Sequence, residues 1–482
     1  MHPHNRKWLS LAIILSAPLI SVIDVFIVNV ALPTIQHSLH ASDSQLQLTI
    51  AGYLLGYASF MITGGRSGDY FGKKKTFFWS MAAFGITSCL CGLSQTPDQL
   101  NIFRFFQGIS ASFMVPQTIS YIQVLFDNHQ ERTKAIGLYG MTLGIGSTLG
   151  QFLGGYFSSG HFFIEGWRLL FLINVPVCLL ALWAVKRFLP VTASNKEKKF
   201  DATGTILLTL SLIAFIYPLV QGRETGWPAW CIFLMAFSLL LFSLFLRIQR
   251  KKSSLRQSPL IDVSLFSIKE FNIGIIAVAC YFIFHTSYLF ITTLHFQETL
   301  HFSAMNAGLS FIFFGFGFTT SSLLSIRLVI RFGKKALQAG VVLMIGMLLI
   351  QALVLKGNIA VFKIDALLIL QGFGMGLVLP SLLNVALRSV PVHFAGAASG
   401  VYSTIQQVAS AMGIAFIGGI YFYFNKYSPD ELNKIESYRI SMYSDVGFLV
   451  LLGIALYLLP KSKKFLPQKA NPISEPSSRI KK

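Results

Sequence analysis

Long apolar runs separated by short polar segments fill the sequence from the first residues to about residue 460. A helix needs about 20 apolar residues to cross a bilayer, because each residue advances it by about 1.5 Å. Fourteen runs meet this length, so the pattern predicts an all-α polytopic membrane protein with fourteen transmembrane helices. The predicted spans are 8–32, 46–66, 76–95, 99–126, 135–157, 168–188, 203–221, 228–247, 272–294, 304–326, 337–356, 363–388, 395–424 and 442–460.

Composition supports the same class of protein. Of the 482 residues, 54% are hydrophobic and only 12% are charged, whereas soluble domains carry about 25% charged residues. This excludes a soluble enzyme, a nucleic-acid-binding protein and a disordered chain. The five cysteines all fall in apolar stretches and accompany no histidine cluster, so neither a disulfide framework nor a metal site is predicted.

The basic residues predict the orientation, because cytoplasmic loops are enriched in Lys and Arg. With the N-terminus in the cytoplasm, 31 of the 39 Lys and Arg residues fall on the cytoplasmic side, and Arg104 lies within a span. The remaining seven fall outside: Arg168, Arg223, Lys356, Lys363, Lys426, Lys434 and Arg439. This asymmetry predicts a multi-pass protein of the plasma (inner) membrane with both termini in the cytoplasm. The formal net charge of +20 is then a record of topology and predicts no nucleic-acid partner.

Short motifs recur in one order along the chain. Three of them stand at offsets of 261 to 264 residues: Gly72-Lys73-Lys74 with Gly333-Lys334-Lys335, Gln107-Gly108 before Pro116 with Gln371-Gly372 before Pro380, and Gly154-Gly155 with Gly418-Gly419. The repeat predicts a six-helix N-terminal bundle (1–190) and a six-helix C-terminal bundle (263–465). An inserted helix pair with its linkers (191–262) lies between them, and a basic tail (466–482) follows. Transporters are often built from such repeats, with the substrate path between them.

Two charged residues lie well away from the ends of the predicted spans in the N-terminal half. Asp24 is in the middle of the first span and Arg104 is in the fourth. A charge inside a membrane is costly, and such residues usually face a partner or a water-filled path. A carboxyl group can bind and release a proton, whereas arginine stays charged. We therefore expect Asp24 and Arg104 to form a proton-coupling pair; the alternative is that each only anchors neighbouring helices.

Small residues and prolines mark further candidates. The segment between the second and third spans is predicted to form a tight turn and a cytoplasmic gate through Gly65, Asp69, Gly72, Lys73 and Lys74. A second group is predicted to provide close helix packing or a hinge. It consists of Gly146, Gly150, Gly154 and Gly155, at the interface between the halves, and of Pro116 and Pro380, which recur in both halves. Packing alone explains this second group equally well.

A substrate cavity is expected among polar and aromatic residues of the spans. Its candidate lining residues are Asn29, Gln107, Tyr281, Phe284, His285 and Gln371. For His285 the alternative is a buried neutral histidine, and for Gln107 it is a structural partner of Arg104.

These motifs together resemble those of the major facilitator superfamily, and more narrowly its fourteen-spanner drug:proton antiporter branch. The resemblance rests on the segments Asp24–Pro33, Gly65–Lys75, Arg104 with Gln107-Gly108, Trp167-Arg168 with Phe171 and Asn174-Val175-Pro176, and Pro259–Asp262. It implies alternating access driven by inward proton flow, with export of a small molecule. It also implies that Asp69 is the acid of the motif loop, Arg104 the coupling arginine and Asp24 the acid that handles protons.

The sequence departs from that pattern at three positions. Gln151 stands where the fifth-span motif usually has proline, and Ser67 and Tyr70 stand where leucine and arginine are common in the motif loop. The expected function is export of amphipathic small molecules by a monomer that needs no cofactor beyond the proton gradient. A proton-coupled importer of a nutrient or siderophore is the alternative on the same fold. A membrane-embedded enzyme or lipid scramblase is a further alternative, but no nucleophile–base pair, metal cluster or phosphate loop favours it.

Overall fold

The computed structural model describes residues 3–126, 128–160, 163–191, 201–222, 225–255, 257, 259–356, 359–387, 389–391, 395–426 and 431–459. All regular structure in these ranges is helical. The first seven helices are α1 (Pro3–Leu39), α2 (Asp43–Phe71), α3 (Lys73–Leu93), α4 (Pro97–Leu125), α5 (His129–Ser159), α6 (Gly166–Leu172) and α7 (Asn174–Phe188). The others are α8 (Ala202–Gln221), α9 (Ala229–Ser254), α10 (Lys269–Glu298), α11 (Ala304–Phe332), α12 (Lys334–Val354), α13 (Val361–Leu387), α14 (Ala395–Lys426) and α15 (Glu431–Leu458), with a 3₁₀ turn, Val263–Ser267, before α10.

Twelve of the described helical segments are long and apolar enough to cross a membrane, with α6 and α7 forming one segment, Gly166–Phe188. The predicted fourth and fifth spans correspond to α4 and α5, which are 29 and 31 residues long. These two helices are less apolar, because α4 carries Arg104, Gln107 and Gln117 in its buried face and α5 contains seven glycines. The integral multi-pass membrane protein is therefore supported, and the count of fourteen spans stays a prediction.

The internal repeat is visible in how helices pack. In the N-terminal half, α4 lies so close to α2 that a β-carbon on Gly108 would meet the carbonyl oxygen of Tyr53. In the C-terminal half, Gly372 of α13 meets the carbonyl of Phe314 in α11 in the same way. Both contacts need glycine, because a side chain would separate the helix backbones. The helices of each pair therefore cross at equivalent points.

The turn after α2 is shorter than the sequence predicts. Helix α2 continues to Phe71, and Gly72 alone separates it from α3. Gly72 has φ 88°, a conformation that glycine adopts without steric cost, and Gly333 makes the equivalent turn with φ 59°. The expectation that Gly65 belongs to this turn is wrong, because Gly65 lies within α2, where it faces Pro116 of α4.

The inserted helices α8 and α9 pack on each other, and α8 also contacts α2 and α14, one helix from each half. Asp201 ties this pair to the segment before α10. Its carboxylate accepts hydrogen bonds from the backbone of Gly204 and Leu260 and from Gln249, and pairs with Lys252. Burial raises the pKa of Asp201, but these hydrogen bonds outweigh it and hold the pKa below its usual value. The Pro259–Asp262 segment is therefore fixed against the inserted pair.

Candidate functional site

A fully buried carboxylate lies at the centre of the N-terminal half. The side chain of Asp24, in α1, has no exposed surface. Its Oδ1 accepts hydrogen bonds from Nε2 of Gln107 and from Nδ2 of Asn174, both at 2.9 Å. Its Oδ2 accepts from Nη1 of Arg104, with which it forms an ion pair. Helices α1, α4 and α7 thus converge on a single acid.

Arg104 is equally buried and is held from several sides. Its Nε donates to the carbonyl oxygen of Thr49 at 3.0 Å, and its Nη1 donates to Oε1 of Gln107 at 2.8 Å. The guanidinium carbon lies 4.4 Å from the centre of the Tyr53 ring, a distance typical of a cation–π contact. Its Nη2 is buried and has no hydrogen-bond partner within the described part of the chain.

The local sequence explains this arrangement. Arg104 and Gln107 are three residues apart in α4, so their side chains share one face of the helix. Gly108 follows and lets α2 approach, which brings Tyr53 and the carbonyl of Thr49 against the guanidinium. A buried charge is tolerated only when it is paired and hydrogen-bonded. Each charge of this pair therefore depends on the other.

The structure brings together the predicted proton-coupling pair and one residue that the sequence assigned to the substrate cavity. Asp24 and Arg104 are in contact, as the predicted pairing requires. Gln107 belongs to the same hydrogen-bond network rather than to an open cavity, because its side chain is fully buried. Asn174 was not among the predicted site residues. Its presence in the Asn174-Val175-Pro176 motif was the signal that points to it; the amide also bonds to Ser88.

The glycines of α5 serve two different neighbours. Gly146, Gly150 and Gly154 face α1 within the same half, and a β-carbon on Gly150 would lie 2.8 Å from the carbonyl oxygen of Ile23. Gly155 instead faces Ala304 at the start of α11, in the other half. The expectation that the whole stripe lies between the halves is therefore wrong for the first three. Positions four apart repeat on one helix face, and Gly155 is one residue out of that register.

Gln151 lies on the side of α5 that faces the other half. Its carbonyl oxygen approaches Gly308 of α11. The side chain is buried, and neither amide atom has a hydrogen-bond partner within the described residues. Helix α5 is continuous from His129 to Ser159, so the absence of the motif proline coincides with an unbroken helix. Pro116 and Pro380 lie within α4 and α13, at equivalent places in the two halves.

The other predicted cavity residues are mostly buried. Tyr281 and Phe284 have no exposed surface, and Tyr281 lies against His285 at 5.7 Å between ring centres. His285 is half-buried and meets Phe26 of α1 edge-on at 6.0 Å, so it lies where the two halves touch. Asn29 and Gln371 are buried, and Oδ1 of Asn29 and both amide atoms of Gln371 have no hydrogen-bond partner in the part of the chain that the structure describes. His285 is therefore the best placed of the six to meet a substrate between the halves.

The predicted gate residues lie at the α2–α3 junction. Nζ of Lys74 donates to the carbonyl oxygens of Lys186 and Leu189 and so caps the C-terminal end of α7. Lys334, after the equivalent turn, donates in the same way to the carbonyls of Tyr457 and Leu459 at the end of α15. Lys73 begins α3, and the side chain of Asp69 lies outside the described residues. One lysine per half therefore fixes the last helix of its bundle.

Two helical bundles related by an internal repeat, with a buried ion pair in one of them, are the architecture expected of a polytopic membrane transporter. The chain belongs to the Major Facilitator Superfamily, whose family model matches residues 14–414.

Curated relatives and solved structures agree with this assignment. The chain is 31% identical to the "Probable actinorhodin transporter" of Streptomyces coelicolor, over 87% of this chain and 73% of the relative. It is 29% identical to the "Puromycin resistance protein pur8" of Streptomyces alboniger, over 96% of this chain and 93% of that relative. It is 28% identical to the "Multidrug resistance protein Stp" of Mycobacterium tuberculosis, over 83% and 73%.

The fold matches that of solved transporters of low sequence identity. A bacterial homologue of the human lysosomal transporter Spinster, in an inward-facing conformation, aligns with a TM-score of 0.64 at 17% identity, over 94% of this chain and 96% of that one. The D-xylose–proton symporter aligns with a TM-score of 0.63 at 16% identity, over 92% and 97%. At this identity the likeness concerns the fold alone.

Proposed function

We propose that the protein exports amphipathic small molecules in exchange for protons by alternating access. The observation that carries the proposal is the buried network of Asp24, Arg104, Gln107 and Asn174. A proton that binds Asp24 cancels its charge and leaves Arg104 without a counter-ion in a site that excludes water. Such a change is large enough to shift a balance between two conformations, because unpaired buried charges cost several kcal/mol.

Contacts between the halves support alternating access. Near the end of α5, the backbone N–H of Met305 donates to Oγ of Ser159, and Nε2 of Gln297 donates to the carbonyl oxygen of Val30, both at 2.9 Å. Near the start of α5, a β-carbon added to Gly137 or Gly140 would meet no described atom within 4 Å. With the predicted orientation, these hydrogen bonds join the two halves on the outside. Alternating access requires that such contacts between the halves break when the transporter opens to the outside.

The relatives support the substrate class. Their names refer to actinorhodin, puromycin, tetracenomycin C and multidrug resistance, which favours a small-molecule substrate. The half-buried His285 beside Phe26 and Tyr281 offers an aromatic surface between the halves for such compounds. Export from the cytoplasm by a monomer with fourteen spans, in the inner membrane and with both termini inside, completes the proposal. The proton gradient is its energy source, without a cofactor.

Gln151 favours a second candidate, a proton-coupled importer. The position usually holds a proline in antiporters of the resembled branch. Here it holds a buried amide whose two polar atoms have no hydrogen-bond partner among the described residues, and its backbone carbonyl approaches α11 of the other half. An amide in that place suits a hydroxylated or otherwise hydrogen-bonding solute.

Transport into inside-out vesicles separates the two candidates. The full chain and its Asp24→Asn variant are compared with a panel of dyes, biocides and antibiotics that includes ethidium and puromycin. An exporter accumulates at least one compound when the vesicle interior is acid, and Asp24→Asn removes this accumulation. If no compound accumulates under that gradient, export is contradicted; uptake into right-side-out vesicles driven by external acid supports import instead.

A further inference from the structure

A second acid is buried in the C-terminal half. Asp445 lies in the middle of α15 and its side chain has no exposed surface. Its Oδ1 accepts a hydrogen bond from Oγ of Ser287, in α10, at 2.7 Å. Its Oδ2 is buried and has no hydrogen-bond partner within the described residues. The sequence did not predict that Asp445 lies in the middle of a helix. The predicted span begins at residue 442, three residues before Asp445, whereas the helix begins at Glu431.

The surroundings of Asp445 differ from those of Asp24. Asp24 has a guanidinium and two amides directed at its two oxygens. Asp445 forms no ion pair with any described Lys, Arg or His, and one hydroxyl group is its hydrogen-bond partner. An isolated carboxylate in a low-dielectric interior is highly unfavourable. A proton bound to the carboxylate removes this charge.

Polar side chains continue from Asp445 towards the outer end of the bundle. Tyr288 and Tyr438 both direct their hydroxyl groups at Oε1 of Gln351, at 3.0 and 3.4 Å. The Tyr438 ring stacks on His295 with 3.9 Å between ring centres. A ring nitrogen of His295 lies 3.2 Å from the carbonyl oxygen of Leu355, where α12 ends.

All four side chains of this row, Tyr288, Gln351, Tyr438 and His295, are fully buried. Buried polar groups are usually paired, yet Nε2 of Gln351 and Nδ1 of His295 have no partner among the described residues. Phenol, amide and imidazole groups each both donate and accept hydrogen bonds. The row therefore has spare hydrogen-bonding capacity along its length, as a route for protons requires.

We propose that Asp445 is a second proton-binding site of the transporter, reached from the outside along Gln351, Tyr438 and His295. It is separate from the Asp24 network, which lies in the other bundle. The proposal rests on proton-coupled transport as the proposed function. On binding, a proton from the outside forms an O–H bond with the free oxygen of Asp445 and makes the side chain neutral. When the proton leaves towards the inside, the carboxylate is restored.

Few other ionisable groups face this site. Helix α10 contributes Tyr288, helix α15 contributes Tyr438, and His295 of α10 lies beyond these two tyrosines. Helix α12 contributes the neutral Gln351 and has no ionisable residue after Lys335. Helix α14 has none between Tyr402 and Tyr421. Glu298 lies one turn beyond His295 on α10. A proton-dependent signal from this region is therefore expected to come from Asp445, His295 or Glu298, which separate substitutions distinguish.

The first test measures how many protons move with each substrate molecule. The full chain is reconstituted in liposomes at zero membrane potential, and ethidium accumulation at equilibrium is measured against the imposed pH gradient. Each coupled proton contributes a factor of ten in accumulation per pH unit. Asp445→Asn is expected to lower the dependence by one such factor, whereas Ser287→Ala, which keeps the acid, leaves it unchanged. An unchanged dependence in Asp445→Asn overturns the proposal.

The second test does not require transport, so it separates failure of the proposal from failure of the proposed function. The infrared C=O stretch of protonated carboxyl groups is followed as the pH is raised in lipid-embedded protein. A band that disappears reversibly with pH, is missing in Asp445→Asn and remains in Asp24→Asn supports the proposal. A band from Asp445 that never changes with pH shows a purely structural neutral acid and overturns it, as does the absence of such a band.

Discussion

Replacement of Asp24 by asparagine tests the buried ion pair most sharply, because asparagine has nearly the same shape as aspartate. Oδ1 of the new amide can still accept from Gln107 and Asn174, so the packing is retained. Arg104 stays charged, however, since a guanidinium does not deprotonate in proteins. Removing one partner of a buried ion pair costs about 3–5 kcal/mol.

The same reasoning ranks three variants. In a domain of about 150–250 residues, 1 kcal/mol shifts the melting temperature by about 2–4 °C, so Asp24→Asn is expected to lower it by roughly 6–20 °C. Arg104→Gln is expected to lower it less, since Asp24 can bind a proton and become neutral. The double variant removes both charges and is expected to be more stable than Asp24→Asn alone.

The assay is thermal unfolding of the purified full chain in detergent, followed by exposure of buried thiols. Asp98→Asn is the matched control, because Asp98 is an exposed acid in the first turn of α4 whose carboxylate accepts from Gln45. It is expected to melt close to the unmodified protein. If Asp24→Asn melts no lower than this control, or if the two single effects simply add in the double variant, the account of a mutually dependent pair is refuted.

Three further predictions concern the scaffold. Gly154→Val is expected to destabilise the N-terminal half by about 1–3 kcal/mol, since its side chain would press on α1, whereas Gly137→Ala is neutral; equal melting temperatures would contradict this. Lys74→Met loses two hydrogen bonds to the end of α7, and faster amide hydrogen exchange there is the expected result. Asp201→Asn melts lower than the unmodified chain at neutral pH. Because the folded-state pKa of Asp201 is lowered, the difference in melting temperature persists at pH values above 3.8, the usual pKa of an aspartate. The difference vanishes as the pH falls through the lowered pKa. A difference that stays constant with pH would contradict the assignment.

The sequence predicted the pairing of Asp24 with Arg104 because charges are so rare within the spans that few partners exist. It also predicted the repeat, since glycines needed for close helix crossings recur at matching offsets. Both inferences depend on steric and electrostatic requirements that leave few alternative residues. These requirements determine which residue types are needed, but they do not determine which neighbouring helix each side chain faces.

The direction in which a side chain points, and its position along a helix, were harder to predict from the sequence. The glycine stripe of α5 gives no sign of whether it faces α1 or α11, because both neighbours accept small residues. Gln107 carries an amide that suits a cavity as well as a network, and contact with Asp24 decides between them. The predicted span 442–460 puts Asp445 near its end, because α15 extends eleven residues further outward than this apolar run. Polar helix ends outside the apolar run carry no hydrophobic signal.

The most direct test of coupling is the movement of protons when substrate is added. Inside-out vesicles with an acid interior and the full chain in their membrane receive ethidium or another compound that they accumulate, and the internal pH is followed with a trapped dye. We predict that the substrate raises the internal pH as protons leave in exchange, and that Asp24→Asn shows no such change. Accumulation without proton movement, or the same movement in Asp24→Asn, would contradict the central claim that the buried acid couples protons to export.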